Sequence, residues 1–182
     1  MNTVYTPRED SFLTIDCVSR VPPVERAAEV GCGPGVVMKT MLDRCGEVVG
    51  TDVDLPSLVE AKVRLADDYG RVHLVNASFL PFRDNCFDLV VANPPYLPSE
   101  PEFHDPAVHG GPTGVEAGIQ IIKFASRALK NNGFLVMTAS SLSDVEMLLL
   151  ETRSAGFSPK GRLELKSFFE TVFCFIFSLE RV

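Results

Sequence analysis

Ala27-Ala28-Glu29-Val30-Gly31-Cys32-Gly33-Pro34-Gly35 is the stretch that decides how this chain folds. Its first four residues are small or apolar around a single acid, as in a short strand buried on both faces. Three glycines then alternate with Cys32 and Pro34. Glycine lacks a Cβ, so the backbone can turn sharply here and lie bare against a ligand. Val36 to Arg44 follows as a helix. Strand, glycine turn and helix in succession open a parallel sheet, and ligands of such sheets bind outside the carboxyl ends of the strands.

The same alternation runs outward from this unit. Upstream, Glu9 to Val21 predicts a helix with an apolar stripe through Phe12, Leu13, Ile15 and Val18, stopped by Pro22-Pro23. Downstream come strand Glu47–Thr51, helix Pro56–Ala66 and strand Arg71–Val75. Strand Phe87–Ala92 is almost wholly apolar, as a central parallel strand should be. A Pro- and Gly-rich loop spans Asn93 to Pro112. Helix Val115–Lys130 is expected to stop at Asn132-Gly133. Strand Phe134–Thr138 and helix Ser143–Ser154 follow. Two last strands, Gly161–Leu165 and Thr171–Phe177, have too short a connection to be parallel, so they pair antiparallel. The expected fold is α/β: a Rossmann-like, seven-stranded, mostly parallel sheet with helices on both faces and a C-terminal antiparallel hairpin. No repeat or linker interrupts the pattern, so residues 1–182 read as one domain.

Composition agrees and removes other classes. At 182 residues the chain buries about 70% of its unfolded surface and needs no metal or disulfide staple. Hydrophobic residues make up 46% and charged ones 23%, which excludes a disordered tail, a collagen-like rod and a coiled coil. The net charge of −7 argues against a protein that grips phosphate backbones over its whole surface. Five widely spaced cysteines, Cys17, Cys32, Cys45, Cys86 and Cys174, contain no CxxC pair and read as buried thiols, with no metal site expected. The first residues lack a signal pattern and no apolar run reaches 18 residues, so a cytoplasmic protein without membrane contact is expected.

The glycine loop also specifies a ligand class. Asp52 lies 21 residues after Gly31 at the end of the second strand, where a carboxylate can accept from a ribose diol. A dinucleotide and an S-adenosyl nucleoside both fit that spacing. Glu29, just before the first glycine, would repel a pyrophosphate but attract the ammonium and sulfonium of S-adenosyl-L-methionine. The pattern is GxGxG, without the GxGxxG of dinucleotide sites. The methyl donor is therefore preferred.

Asn93-Pro94-Pro95-Tyr96 follows the fourth strand directly. Two prolines fix φ and remove two backbone donors, so the chain leaves the sheet stiffly. A carbonyl before a proline can be aimed into a pocket, and the Asn93 side chain adds another acceptor. Two convergent acceptors suit a planar –NH2 group, on which Tyr96 can stack.

These motifs resemble class I methyltransferases that modify amide or exocyclic amino nitrogens. Val4-Tyr5-Thr6-Pro7-Arg8-Glu9-Asp10-Ser11-Phe12-Leu13 is similar to the opening of HemK-type release factor glutamine methyltransferases, and the similarity covers nearly the whole chain. Bacterial members carry a helical domain before this point, so the chain resembles the short archaeal and eukaryotic branch. The resemblance implies donor contacts from Tyr5, Asp10, Ser11, Glu29, Gly31, Gly33 and Asp52, with Asn93 beside them. It implies that Asn93 and Pro94 hold the acceptor amide, with Tyr96 as their partner in the motif. Asn76-Ala77 stands where an Asp usually accepts from the adenine amino group; an Asn carbonyl can also accept. The implied reaction is N5-methylation of a glutamine in the Gly-Gly-Gln motif of a class I translation termination factor. The implied partner is a small zinc-binding activator docked on an edge strand at residues 71–75.

Other readings use the same residues. A nucleic-acid amino-group methyltransferase would need a basic channel that a charge of −7 does not suggest. A lysine methyltransferase would need a neutral amine, which Asn93 does not obviously favour. A donor-binding subunit without catalysis would not need Asn93-Pro94-Pro95-Tyr96. His73, His104 and His109 lack metal-ligand spacing, and Asp105 and Glu116 read as solvated or capping residues. Phe168, Phe169, Phe173, Phe175 and Phe177 read as core.

Overall fold

The computed structural model describes residues 9–79, 83–99, 105 and 107–181. Tyr5 with the rest of residues 1–8, Leu80-Pro81-Phe82 and His104 lie outside the described residues. The elements are α1 (Glu9–Val18), β1 (Val24–Val30), α2 (Val36–Met41), β2 (Cys45–Asp52), α3 (Leu55–Arg64), β3 (Val72–Asn76), β4 (Phe87–Ala92), β5 (Leu97–Pro98), β6 (His109–Gly111), α4 (Glu116–Ala128), β7 (Leu129–Ser140), α5 (Val145–Ser154), β8 (Phe157–Lys166) and β9 (Thr171–Leu179). Seven strands form one sheet in the order β3-β2-β1-β4-β7-β9-β8. The first five pair parallel, and β9 runs antiparallel between β7 and β8.

Local chemistry sets most boundaries. Asp54 caps α3 by accepting from the Ser57 N–H at 2.9 Å, with Pro56 in the first turn, and Asp144 caps α5 through the Met147 N–H at 3.0 Å. Burial then divides the helices between two faces. Leu13, Cys17 and Val18 of α1 pack with Met38, Met41 and Leu58 against Ala27, Val48, Leu89 and Val136. On the other face, Ile121, Ile122, Ala125 and Leu148 cover Ala28, Val49, Val90, Leu135 and Met137. Alternate residues of the central strands thus serve two cores, and for this reason their buried stretches are largely apolar.

Four expectations need correction. The first helix ends at Val18, three residues early, because Ser19 to Val21 close in turns. The loop after β4 contains the short parallel pair β5–β6. Helix α4 ends at Ala128, and Leu129 already belongs to β7. Phe87 pairs with Leu129 and Leu89 with Phe134, so five steps of β7 lie against two of β4. Asn132, at φ 62°, and Gly133 turn this bulge. Finally, Phe175 and Phe177 are core and Phe173 is partly so, but Phe168 and Phe169 are exposed.

No helix among the described residues is long and apolar enough to cross a membrane. The five cysteines are free thiols, all buried except the half-buried Cys86.

A Cβ at Gly133 would lie 2.9 Å from the Lys130 carbonyl oxygen and 3.2 Å from that of Asp88. Gly133→Ala is therefore expected to destabilise the protein by about 1–3 kcal/mol through overpacking. Urea denaturation checks this, and an unchanged midpoint would show that the bulge is not tightly packed.

Candidate active site

The strand order reverses direction between β1 and β4, and ligands of open α/β sheets bind outside the carboxyl ends at such a switch point. Val30 pairs with Thr51 on one side and Ala92 on the other. The glycine loop, Asp52 and Asn93 therefore leave the sheet at nearly one level.

The glycine loop is held from below. The N–H groups of Gly31 and Cys32 both donate to the Thr51 carbonyl, at 2.8 and 2.9 Å. Gly31, Gly33 and Gly35 all have positive φ, at 72°, 50° and 78°. At Gly31 and Gly33 a Cβ would meet nothing, so backbone conformation alone requires glycine there. Asp52 ties the loop to β2: one oxygen accepts from the Gly33 N–H at 2.7 Å, the other from the Asp54 N–H at 2.8 Å. A carboxylate oxygen has a second lone pair, so Asp52 retains capacity for a diol. Beside it, the Asn76 amide donates to the Asp52 and Val53 carbonyls, and the Ala77 N–H donates to the Asp52 carbonyl. These bonds commit the Asn76 NH2 and fix which way its side-chain amide points.

Glu29 is 2% exposed, and its Oε2 has no hydrogen-bond partner among the described residues; nor has the buried Thr51 hydroxyl. Burial pushes the Glu29 carboxyl well above the usual range, the Asp52 charge adds to this, and the Met38 N–H opposes it. In its ionised form such a buried group would need a cation or a further donor beside it.

A second cluster surrounds Asn93. Asp10, at the start of α1, accepts from the Asn93 amide at 3.0 Å and from the Tyr96 hydroxyl at 3.2 Å. The Thr138 hydroxyl, on β7, donates a short hydrogen bond to the Asn93 side-chain carbonyl. A carboxylate only accepts, so Asp10 fixes which end of the Asn93 amide faces it, and the carbonyl must face Thr138. One lone pair of that carbonyl remains. Asp10 thus stands with Asn93 and Tyr96, and its other oxygen accepts from the N–H of buried Ser11 at 2.7 Å. Pro94, next along the chain, is buried.

These hydrogen bonds gather Gly33, Asp52, Asn76 and Ala77 into one group and Asp10, Asn93, Tyr96 and Thr138 into another. Sequence reasoning missed Thr138, an ordinary strand residue until its register is known. It also missed Gly110, Gly111 and Gly114. A Cβ at Gly110 would strike the Pro95 carbonyl and lie 2.6 Å from that of Gly114; one at Gly114 would lie 2.6 Å from the Tyr96 carbonyl. Three glycines within five residues were the signal: Gly110 and Gly114 pack backbone to backbone against the Pro-Pro-Tyr turn, while Gly111, at φ 119°, lies against the Glu116 side chain. Glu116 caps this segment, accepting from the Thr113 N–H and hydroxyl; burial raises its carboxyl, but these and other backbone bonds hold it below the usual range.

A family model described as a methyltransferase domain matches residues 27–105. A Methanocaldococcus jannaschii protein named as a putative protein N5-glutamine methyltransferase is 30% identical over 92% of this chain and 87% of its own length. The release factor glutamine methyltransferase of Gloeobacter violaceus is 30% identical over 82% of this chain and 60% of its own length. The chain spans between 47% and 60% of the length of such bacterial relatives. Among solved structures, the E. cuniculi Mtq2–Trm112 complex, responsible for methylation of the eRF1 translation termination factor, contains a chain of similar fold. Its TM-score is 0.74 at 24% identity, covering 97% of this chain and 98% of that one.

The raised Glu29 carboxyl has a thermodynamic signature. The folded chain holds this proton more tightly than the unfolded chain. Stability of the ligand-free protein therefore falls as pH rises from the ordinary carboxylate range through the raised value. Glu29→Gln removes the titrating proton and is expected to flatten that limb in thermal melts across pH. A limb that keeps its slope would mean that Glu29 is not held protonated.

Proposed function

The chain belongs to the protein N5-glutamine methyltransferase family, and from that premise we propose that it methylates the side-chain amide of a glutamine in the Gly-Gly-Gln motif of a class I translation termination factor, using S-adenosyl-L-methionine. The proposal treats residues 1–182 as one methyltransferase domain. The observation that carries it is the fixed Asn93 carbonyl beside the acid-lined glycine loop, because an amide nitrogen needs oriented acceptors more than it needs a base.

The residues fit the donor. Unpartnered Glu29 Oε2 suits a cationic amino-acid end, Asp52 a ribose diol, and the Asn76 carbonyl the adenine amine. Gly31 and Gly33 leave the backbone bare, Ala77 adds little bulk beside it, and Ser11 and Tyr5 complete the expected set. When bound, the donor supplies an electrophilic methyl group. The chain must supply orientation. An amide nitrogen is a poor nucleophile because its lone pair is delocalised. Hydrogen bonds from its –NH2 to the Asn93 side chain and the Pro94 carbonyl would turn that lone pair towards the methyl group. Tyr96 would pack on the amide plane. Because Asp10 and Thr138 already hold Asn93, little reorganisation is needed at the moment of transfer. The same acceptors stabilise the positive charge that grows on nitrogen, and the proton can leave afterwards.

We also propose a protein partner at the β3 edge, a small zinc-binding activator. Strand β3 ends the sheet with half-buried Val72, Leu74 and Val75, and no further strand among the described residues pairs with its outer side. Next to it, Leu55, Val59 and Val63 form an exposed apolar stripe along α3, and Val53 and Tyr69 are exposed nearby. Strand addition there would cover both. That the E. cuniculi chain of similar fold stands in a complex with a second protein supports this reading.

Labelled donor and a Gly-Gly-Gln peptide test the reaction. Asn93→Ala is expected to lower turnover about 100- to 1000-fold, the loss typical of one oriented transition-state contact, with donor affinity nearly unchanged. Asp52→Ala should do the reverse, weakening donor binding about 10- to 150-fold in calorimetry. Near-normal turnover of the Asn93→Ala protein would refute the acceptor assignment.

Co-expression tests the partner. The chain alone is expected to aggregate or to work slowly, and the activator to restore solubility and rate. Gel filtration showing a soluble monomer whose rate ignores the activator would remove the docking proposal and leave the active site unaffected.

A further inference from the structure

Strands β8 and β9 close in a two-residue turn: Lys166 pairs with Thr171, and the Ser167 N–H donates to the Glu170 carbonyl at 2.8 Å. The two central residues are Phe168 and Phe169, 98% and 88% exposed. Neither burial nor turn chemistry accounts for them. Such turns favour Asn, Asp or Gly at these positions, and two solvated phenyl rings lose the benefit of burial.

The tip is also anchored in a particular place. The Ser140 hydroxyl donates to the Glu170 carboxylate at 2.6 Å. The Ser141 N–H donates to the Thr171 carbonyl, and the Thr171 N–H donates to the Ser141 hydroxyl, both at 2.9 Å. Ser140 and Ser141 follow Thr138, which holds Asn93, along the same stretch of chain. Strand β4 stops at Ala92, level with Met137, whereas β7 and β9 continue upward past it. At about 3.3 Å per residue, the tip stands roughly 10–17 Å above Asn93 on the same rim.

We propose that Phe168 and Phe169 are positioning residues for the acceptor protein: an aromatic tip that grips its surface a few residues' reach from the methylated side chain. This rests on the reading of the chain as a glutamine methyltransferase. A small, preorganised aromatic pair supplies large contact area at low entropic cost. The occupant is the acceptor, because the tip is tied to the rim that presents Asn93. The β3 edge lies at the opposite end of the sheet, two strands beyond β1.

The test is steady-state kinetics of the F168A/F169A double variant with an intact class I release factor and, separately, a short Gly-Gly-Gln peptide. KM for the release factor is expected to rise at least about tenfold, the loss of a pair of hot-spot rings, with kcat little changed. Kinetics on the peptide, donor affinity and melting temperature should stay at wild-type values, and F168Y/F169Y should restore KM for the protein. An unchanged release-factor KM overturns the proposal, as does an equal loss on peptide and protein. Wild-type protein that methylates no Gly-Gly-Gln acceptor overturns the functional reading itself, and does so before any variant is compared.

Discussion

The parallel pairing of β1 with β4 is the constraint on which the site depends. It places Val30 beside Ala92 at a point where the next strands are added on opposite sides. The chain leaving β1 and the chain leaving β4 therefore part in opposite directions, and it is at such a parting that open α/β sheets bind ligands. Pairing of β1 with β2 puts Asp52 one residue beyond the same level. Three loops that are distant in sequence then leave the sheet at nearly the same level, held by strands buried on both sides.

The polar groups near these strand ends fall into two states. Asn93, Tyr96 and Asp10 satisfy one another, with Thr138 completing the set. A network of this kind is rigid and costs little to keep, because no member is left without a partner. Glu29 and Thr51 are the opposite: each buries an oxygen that no group among the described residues meets. Leaving such a group unpaired costs on the order of 1–3 kcal/mol. The Asn93 cluster is complete within the protein, whereas Glu29 and Thr51 each keep an oxygen that nothing among the described residues satisfies.

Element order was legible because it rests on local signals. Alternating apolar strands and capped helices, with Pro and Gly between them, need no knowledge of tertiary contacts. Boundaries failed where local and long-range preferences compete. Leu129 to Gly133 carries helix-compatible residues and a helix-stop dipeptide, yet its backbone comes to rest beside Phe87 and Asp88. The aromatic C-terminus misled differently. Period-two burial assigns Phe173, Phe175 and Phe177 correctly, but says nothing about Phe168 and Phe169 once the strands end in a turn.

The sequence by itself determined the α/β class, the glycine loop with its flanking acids, and the Asn-Pro-Pro-Tyr turn, since each is a run of adjacent residues whose backbone limits are intrinsic. Tertiary structure alone decided what holds those pieces in use. Asp10 reaches Asn93 across 83 residues and Thr138 reaches it across 45. Gly110 is required only because the Pro95 carbonyl comes to rest against it. Hydrogen bonds and close approaches between remote residues leave no periodicity in a chain, because the strand order and register that create them are set by packing of the whole sheet.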